Sequence, residues 1–299
     1  MTAGILPGIG FGLGTALCQS VFYLFTRRFV GRTGKTPMLL LIVSHVLMGV
    51  ASAALLLVLC PRHLPPLDVY IVPLACTALA YLAAQLGLFS VLRDVESSRV
   101  APLLGGKIIV LAVLTMLILH QELHPVQWLA VGVSAGATWM LNETGGRIPL
   151  RSLAILALTI LGYCLSDMSI GVLVKRLAGC EPSAPLVGVA LTYLLCGALT
   201  LPFAFRPETR DRRVWILAIP CAASWFTAMC LLYACFGLIG VVFGNIVQAS
   251  RGMLSVVLGW AVARIGQTQI EAHVPRPIFW RRIAGAALML LAVTLYLWH

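Results

Sequence analysis

Apolar residues run through this chain in long unbroken blocks, not in the i, i+3, i+4 stripe of a water-facing helix or the alternation of a half-buried strand. Ten blocks are legible, at 4–26, 37–60, 69–92, 98–119, 125–141, 152–174, 184–205, 214–236, 239–263 and 283–298. Most reach the roughly 20 residues a helix needs to cross about 30 Å of hydrocarbon, and none breaks into the short alternating segments of a membrane barrel. The connectors are short and commonly carry Pro, as at Pro61, Pro65, Pro66, Pro125, Pro149, Pro182, Pro207, Pro275 and Pro277. The pattern predicts an all-α integral membrane protein of ten transmembrane helices, with no soluble domain between any two.

Composition agrees. Of 299 residues, 60% are apolar and only 10% charged, with a mean hydropathy of +0.98. A soluble domain carries about 25% charged residues, so too little polar surface exists here to cover a globule in water. Disorder and a disulfide-stapled secreted scaffold are excluded, the nine cysteines being scattered through apolar blocks. Met1 to Gly14 contains no Lys or Arg, so a cleaved leader is not expected.

The second half of the chain echoes the first. A shift of 148 residues sets Leu13, Gly14 and Leu17 on Leu161, Gly162 and Leu165, Arg27 and Arg28 on Lys175 and Arg176, Pro37 on Pro185 and Gly49 on Gly197. Farther along, a shift of 144 superposes the fourth block on the ninth. The reading is two inverted five-helix repeats, 1–146 and 147–299, because an odd number of spans turns the second copy over.

The net charge of +11 does not indicate nucleic acid, since the bases sit in short connectors and not on one face. Connectors after odd-numbered blocks, counting Arg99 at the edge of the fourth block, hold sixteen Lys or Arg, and those after even-numbered blocks hold three: Arg62, Lys175 and Arg176. Positive residues stay on the cytoplasmic side, which predicts inside odd connectors and both termini outside, with each half obeying the rule in opposite hand.

The stretch Leu119-His120-Gln121-Glu122-Leu123-His124-Pro125-Val126-Gln127-Trp128, followed by Gly132 in a small-residue helix, resembles the drug/metabolite transporter superfamily of the EamA type. That family carries a Gly-Glu pair, a Gln four or five residues on, and a Gly-rich last helix in its repeat. His120 and Gln121 replace the small residue here, and the second half has Gly266 and Gln267 where the Glu would fall. The resemblance implies a ten-span secondary transporter in a cell (inner or plasma) membrane, with no cofactor and no enzymatic activity. It also implies both termini inside, against the charge bias.

A charge near the bilayer centre costs at least ~2.5–3.5 kcal/mol on insertion scales, so each needs a reason. Asp167 alone among the ten acids lies well inside a block, and Lys107 and Arg251 alone among the twenty-one bases. The 144 shift sets Lys107 on Arg251, each about half way along its block, so the repeat brings both toward one cavity. Two cations facing one cavity repel unless an anion lies between them, which gives a clamp for phosphate or carboxylate. The placement resembles that of the plastid organophosphate antiporters of this superfamily, whose basic substrate residues lie on the fourth and ninth helices. The alternative is structural: Asp167 neutralises one cation and no substrate is involved. The two are partly compatible, for an Asp167 that releases its cation on loading couples transport to a proton or to exchange.

Gln19 falls on Asp167 in the repeat and His45 falls on Tyr193. With Gln85, Trp225 and Gln248 these are candidates for lining the same cavity, each weighed against an ordinary interhelical hydrogen bond worth ~0.6 kcal/mol. His45, with an unperturbed pKa of about 6.5, is an alternative proton carrier. The glycines of Gly8 to Gly14 and the Ala101 to Ile108 segment imitate nucleotide-binding loops, but they lie in apolar blocks without the preceding strand. His120, Glu122 and His124 lack the spacing of a zinc protease.

The expected function is a secondary transporter of a small organic anion, phosphorylated or carboxylated, working by alternating access between the two repeats. An amino-acid or metabolite exporter and a flippase for phosphate-linked lipid are the alternatives within the fold, and a membrane-embedded enzyme is the alternative class. Expected partners are the substrate, membrane lipid and a proton or counter-substrate, with no nucleic acid; sequence leaves the oligomeric state open.

Overall fold

The computed structural model describes residues 4–61, 64–94, 107–120, 122–140, 149–180 and 183–251, with isolated positions at 104, 254, 258 and between 284 and 296. The rest of the tenth apolar block, most of the second half of the ninth, most of the start of the fourth, Arg62, Gln121, Gly266 and Gln267 lie outside them. The described elements are helices: α1 (Ile5–Thr33), α2 (Pro37–Leu59), α3 (Leu67–Asp94), α4 (Lys107–Leu119), α5 (Pro125–Met140), α6 (Leu150–Arg176), α7 (Ala184–Thr200), α8 (Arg212–Ile239) and α9 (Val241–Gln248), with short 3-10 turns flanking α7 and before α8. Six of them, α1, α2, α3, α6, α7 with its 3-10 extension to Phe205, and α8, are long and apolar enough to cross a membrane, and α4 is a shorter apolar helix.

Local sequence explains the ends. Gly34 closes α1 in the left-handed region at φ 63, donating its N–H to Val30 O at 2.9 Å. Pro37 and Pro185 stand in the first turns of α2 and α7, where a missing N–H costs nothing. The Asp211 carboxylate caps α8 by accepting from Arg213 N–H at 2.8 Å. Two prolines fall inside helices, Pro73 in α3 and Pro220 in α8. Four residues on from each, a hydroxyl reaches back: Thr77 Oγ1 donates to Pro73 O and Ser224 Oγ to Pro220 O, both at 2.7 Å.

Helices pair most closely as α1 with α8, α3 with α6 and α2 with α7. Small residues make this possible, since in lipid the helices gain from close packing and not from leaving water. At the α2–α7 crossing, Gly49 and Gly197 meet backbone to backbone: a Cβ on Gly197 would lie 2.7 Å from Gly49 Cα. A Cβ on Gly162 of α6 would lie 3.1 Å from Ala80 O of α3, and one on Gly12 of α1 would lie 2.7 Å from Val247 of α9. Met48, Tyr81, Tyr193, Trp225, Tyr233 and Phe236 centre the main core. Large apolar residues point outward where lipid would lie, Leu57 and Val58 being each 81% exposed.

One sequence expectation changes here. The ninth block was expected to be one continuous helix, but α9 ends at Gln248. Ala249 and Ser250 form a tightened turn, Ser250 N–H bonding to Val247 O at 3.2 Å, before Leu254 N–H returns to Ser250 O at 3.1 Å. Arg251 therefore follows a helix break, not the middle of a rod.

Candidate functional site

Two clusters of buried polar groups stand out among the spans, and α1 contributes to both. The first is arrayed along α9. Asp167 of α6 accepts at Oδ2 from the Lys107 ammonium of α4, at 2.5 Å, and from the Asn245 amide of α9, at 2.9 Å. Asp167 and Lys107 side chains are 8% and 15% exposed, so the pair is held largely away from solvent. Lys107 Nζ also stands 5.7 Å from the ring centre of Tyr163, one turn before Asp167 on α6. The Cys164 thiol reaches the Lys107 carbonyl at 3.5 Å, which ties the start of α4 to α6.

One turn farther along α9, Gln248 Nε2 donates to Gln19 Oε1 of α1 at 3.2 Å. Arg251 Nη1 donates to the same oxygen at 3.3 Å, and Ser20 Oγ donates to the Arg251 carbonyl at 3.1 Å. Asn245 and Gln248, three residues apart, share one face of α9. That face carries the Asp167 cluster and the Gln19 cluster side by side. Among the described residues Arg251 has no carboxylate within ion-pairing distance.

The second site is aromatic. Phe22, His45, Tyr81, Gln85 and Trp225 line a narrow cavity between α1, α2, α3 and α8 with about 20 Å³ of free space. Trp225 Nε1 donates to Tyr193 OH at 2.9 Å, and the Tyr193 ring lies 6.0 Å from that of His45. His45 Nδ1 lies 2.7 Å from Leu41 O, an oxygen that only accepts, so Nδ1 carries the proton. Nε2 is then left to accept from Tyr81 OH at 3.2 Å. That is a neutral imidazole with both nitrogens satisfied. Phe22 follows Gln19 by three residues on α1, so this cavity begins one helical turn from the Arg251 cluster.

All nine sequence candidates are buried or part-buried and lie in these two sites: Lys107, Asp167, Gln19, Gln248 and Arg251 in the first, His45, Gln85, Tyr193 and Trp225 in the second. The structure joins Lys107 to Asp167, which is the neutralising pair given above as the structural alternative, and gives Arg251 a different partner. Asn245, Tyr81 and Tyr163 were missed. Asn245 was findable, for it precedes Gln248 by one helical turn; the two tyrosines carry no signal among many apolar neighbours.

Comparison with known proteins adds three findings. Residues 6–143 match the EamA-like transporter family. No curated protein matches. Twenty-six solved chains do. One of them, described only as the crystal structure of a protein, superposes with a TM-score of 0.66 at 14% identity, covering 94% of this chain and 95% of its own. At that identity the likeness is one of fold.

Proposed function

Through residues 6–143 the chain belongs to the EamA-like transporter family of the drug/metabolite transporter superfamily, and from that premise we propose that it carries a small organic anion, phosphorylated or carboxylated, bound at Arg251. The observation that carries the reading is the pairing of the two deep cations. Lys107 is neutralised by Asp167, whereas Arg251 is held by the amide oxygen of Gln19. A guanidinium inside a bilayer with a neutral partner has its charge still to satisfy, and its planar fork suits carboxylate or phosphate oxygens. Gln248 and Gln19 amides beside it supply further hydrogen bonds.

Alternating access between two inverted halves is the mechanism we propose. Several placements support it. If the first three helices correspond to the sixth, seventh and eighth, then α1–α8 and α3–α6 are the same contact made twice, and α2–α7 is its own counterpart. The equivalent glycines 49 and 197 meet each other, as residues on a two-fold axis must. Lys107–Asp167 and Arg251–Gln19 are then one contact in two copies. Odd-numbered connectors face the cytoplasm in this reading, by the charge bias.

The test is reconstitution of purified protein in liposomes. Saturable uptake of a labelled organic anion without conversion, lost in Arg251→Ala, is the expected result; conversion of the substrate would make it an enzyme, and full flux in Arg251→Ala would remove the site. Substrate class comes from a thermal-shift screen of phosphorylated and carboxylated metabolites, because a ligand at 100 times its Kd adds about 2.7 kcal/mol of stability.

A further inference from the structure

A second, separate anion site stands at the membrane surface. Residues 27–35 and 206–213 hold eight of the twenty-one Lys and Arg and only two acids, Glu208 and Asp211. The fold brings these two segments together, since the end of α1 packs on the start of α8: Phe29, fully buried, lies in one cluster with Val214 and Ala218. Between them lies an open cavity of about 350 Å³ lined by Arg32, Arg213, Ile216 and Leu217. Both arginines are exposed, and the nearest acid in sequence, Asp211, already caps α8.

We infer that this cavity binds the headgroup of an anionic phospholipid. Two guanidiniums from different helices converge on one space and repel unless a negative group lies between them. The floor of the cavity says which anion. Ile216 and, one turn deeper on α8, Ile219 are 53% and 52% exposed, an apolar track leading from the basic mouth along the lipid-facing side. A free phosphate has no use for that track, and an acyl chain follows it. Trp215, whose indole N–H donates to Thr209 O at 2.7 Å, marks the same level as the water–lipid boundary where amphipathic rings settle. Basic pockets between spans at this depth hold anionic headgroups. The site makes no use of the transport substrate, so it stands or falls apart from the function proposed above.

The experiment is a lipid titration of the purified full-length protein followed by native mass spectrometry. Phosphatidylglycerol is expected to bind at least tenfold more tightly than phosphatidylcholine. Arg32→Gln with Arg213→Gln should remove most of that preference, while Arg151→Gln with Arg176→Gln, the same charge change at exposed positions of α6 away from the cavity, should keep it. Ile216→Asn should weaken lipid binding without changing charge. Equal binding of the two lipids, an unaffected Arg32/Arg213 variant, or equal loss in the control pair would each overturn the site. Competition by glycerol phosphate as effective as that of phosphatidylglycerol would also overturn it, in favour of a soluble anion.

Discussion

Lys107 with Asp167 and Arg251 with Gln19 occupy matching places in the two halves of the sequence, yet among the described residues only the first is an ion pair. One carboxylate is the whole difference: where α6 presents Asp167, α1 presents an amide at the position 148 residues earlier. A closed pair inside a bilayer is a rigid fastening, because separating it strands two charges. An open cation is a binding group, because a ligand can lower its energy. In the proposed reading the same frame yields a latch on one side and a reader on the other, and the contrast can be tested from both ends.

The largest effect should come from breaking the latch. Lys107→Met leaves Asp167 with Asn245 alone and should cost about 3–5 kcal/mol of stability, read as a lower Tm in detergent. Lys107→Met combined with Asp167→Leu should recover most of it, since replacing a whole buried pair is often neutral. Arg251→Met should show the opposite balance, with Tm held or raised and anion binding weakened roughly 100-fold or more. Equal destabilisation by the two methionine variants would erase the distinction between latch and reader.

Closing the open pair is the next test. Gln19→Asp gives Arg251 an internal carboxylate like that of Lys107, and the variant should fold while losing saturable anion uptake; retained uptake would mean that the anion sits elsewhere. Arg251→Lys keeps the charge and loses the fork, for an expected loss of roughly 10- to 150-fold in affinity, matching the ~1.5–3 kcal/mol of one hydrogen bond to a charged group. Asn245→Ala is the mildest, removing one interhelical hydrogen bond from Asp167 at ~0.6 kcal/mol.

Much of the site was legible from residue type alone, because deep polar groups in apolar blocks are few and costly. Nine of them were named from sequence, and each lies in one of the two clusters. What sequence could not supply was the partition. His45, Gln85, Tyr193 and Trp225 were expected around the cations, but they belong to the aromatic cavity, since the α2–α7 crossing places Tyr193 against His45 and Trp225. Nor did apolarity reveal the turn after Gln248, because Ala249 and Ser250 are as compatible with helix as with a tightened turn.

By itself, then, the chain determined its solvent, its helices and the identity of its few buried charges: hydrocarbon accepts backbone only when its hydrogen bonds are closed within a helix, and penalises each ionised group whatever its neighbours. Tertiary packing decided which charges cancel. Whether a buried cation meets a carboxylate or an amide depends on a few ångströms of helix placement, and that distance is fixed by close contacts such as Gly49 on Gly197, not by any property of Lys107 or Arg251 alone.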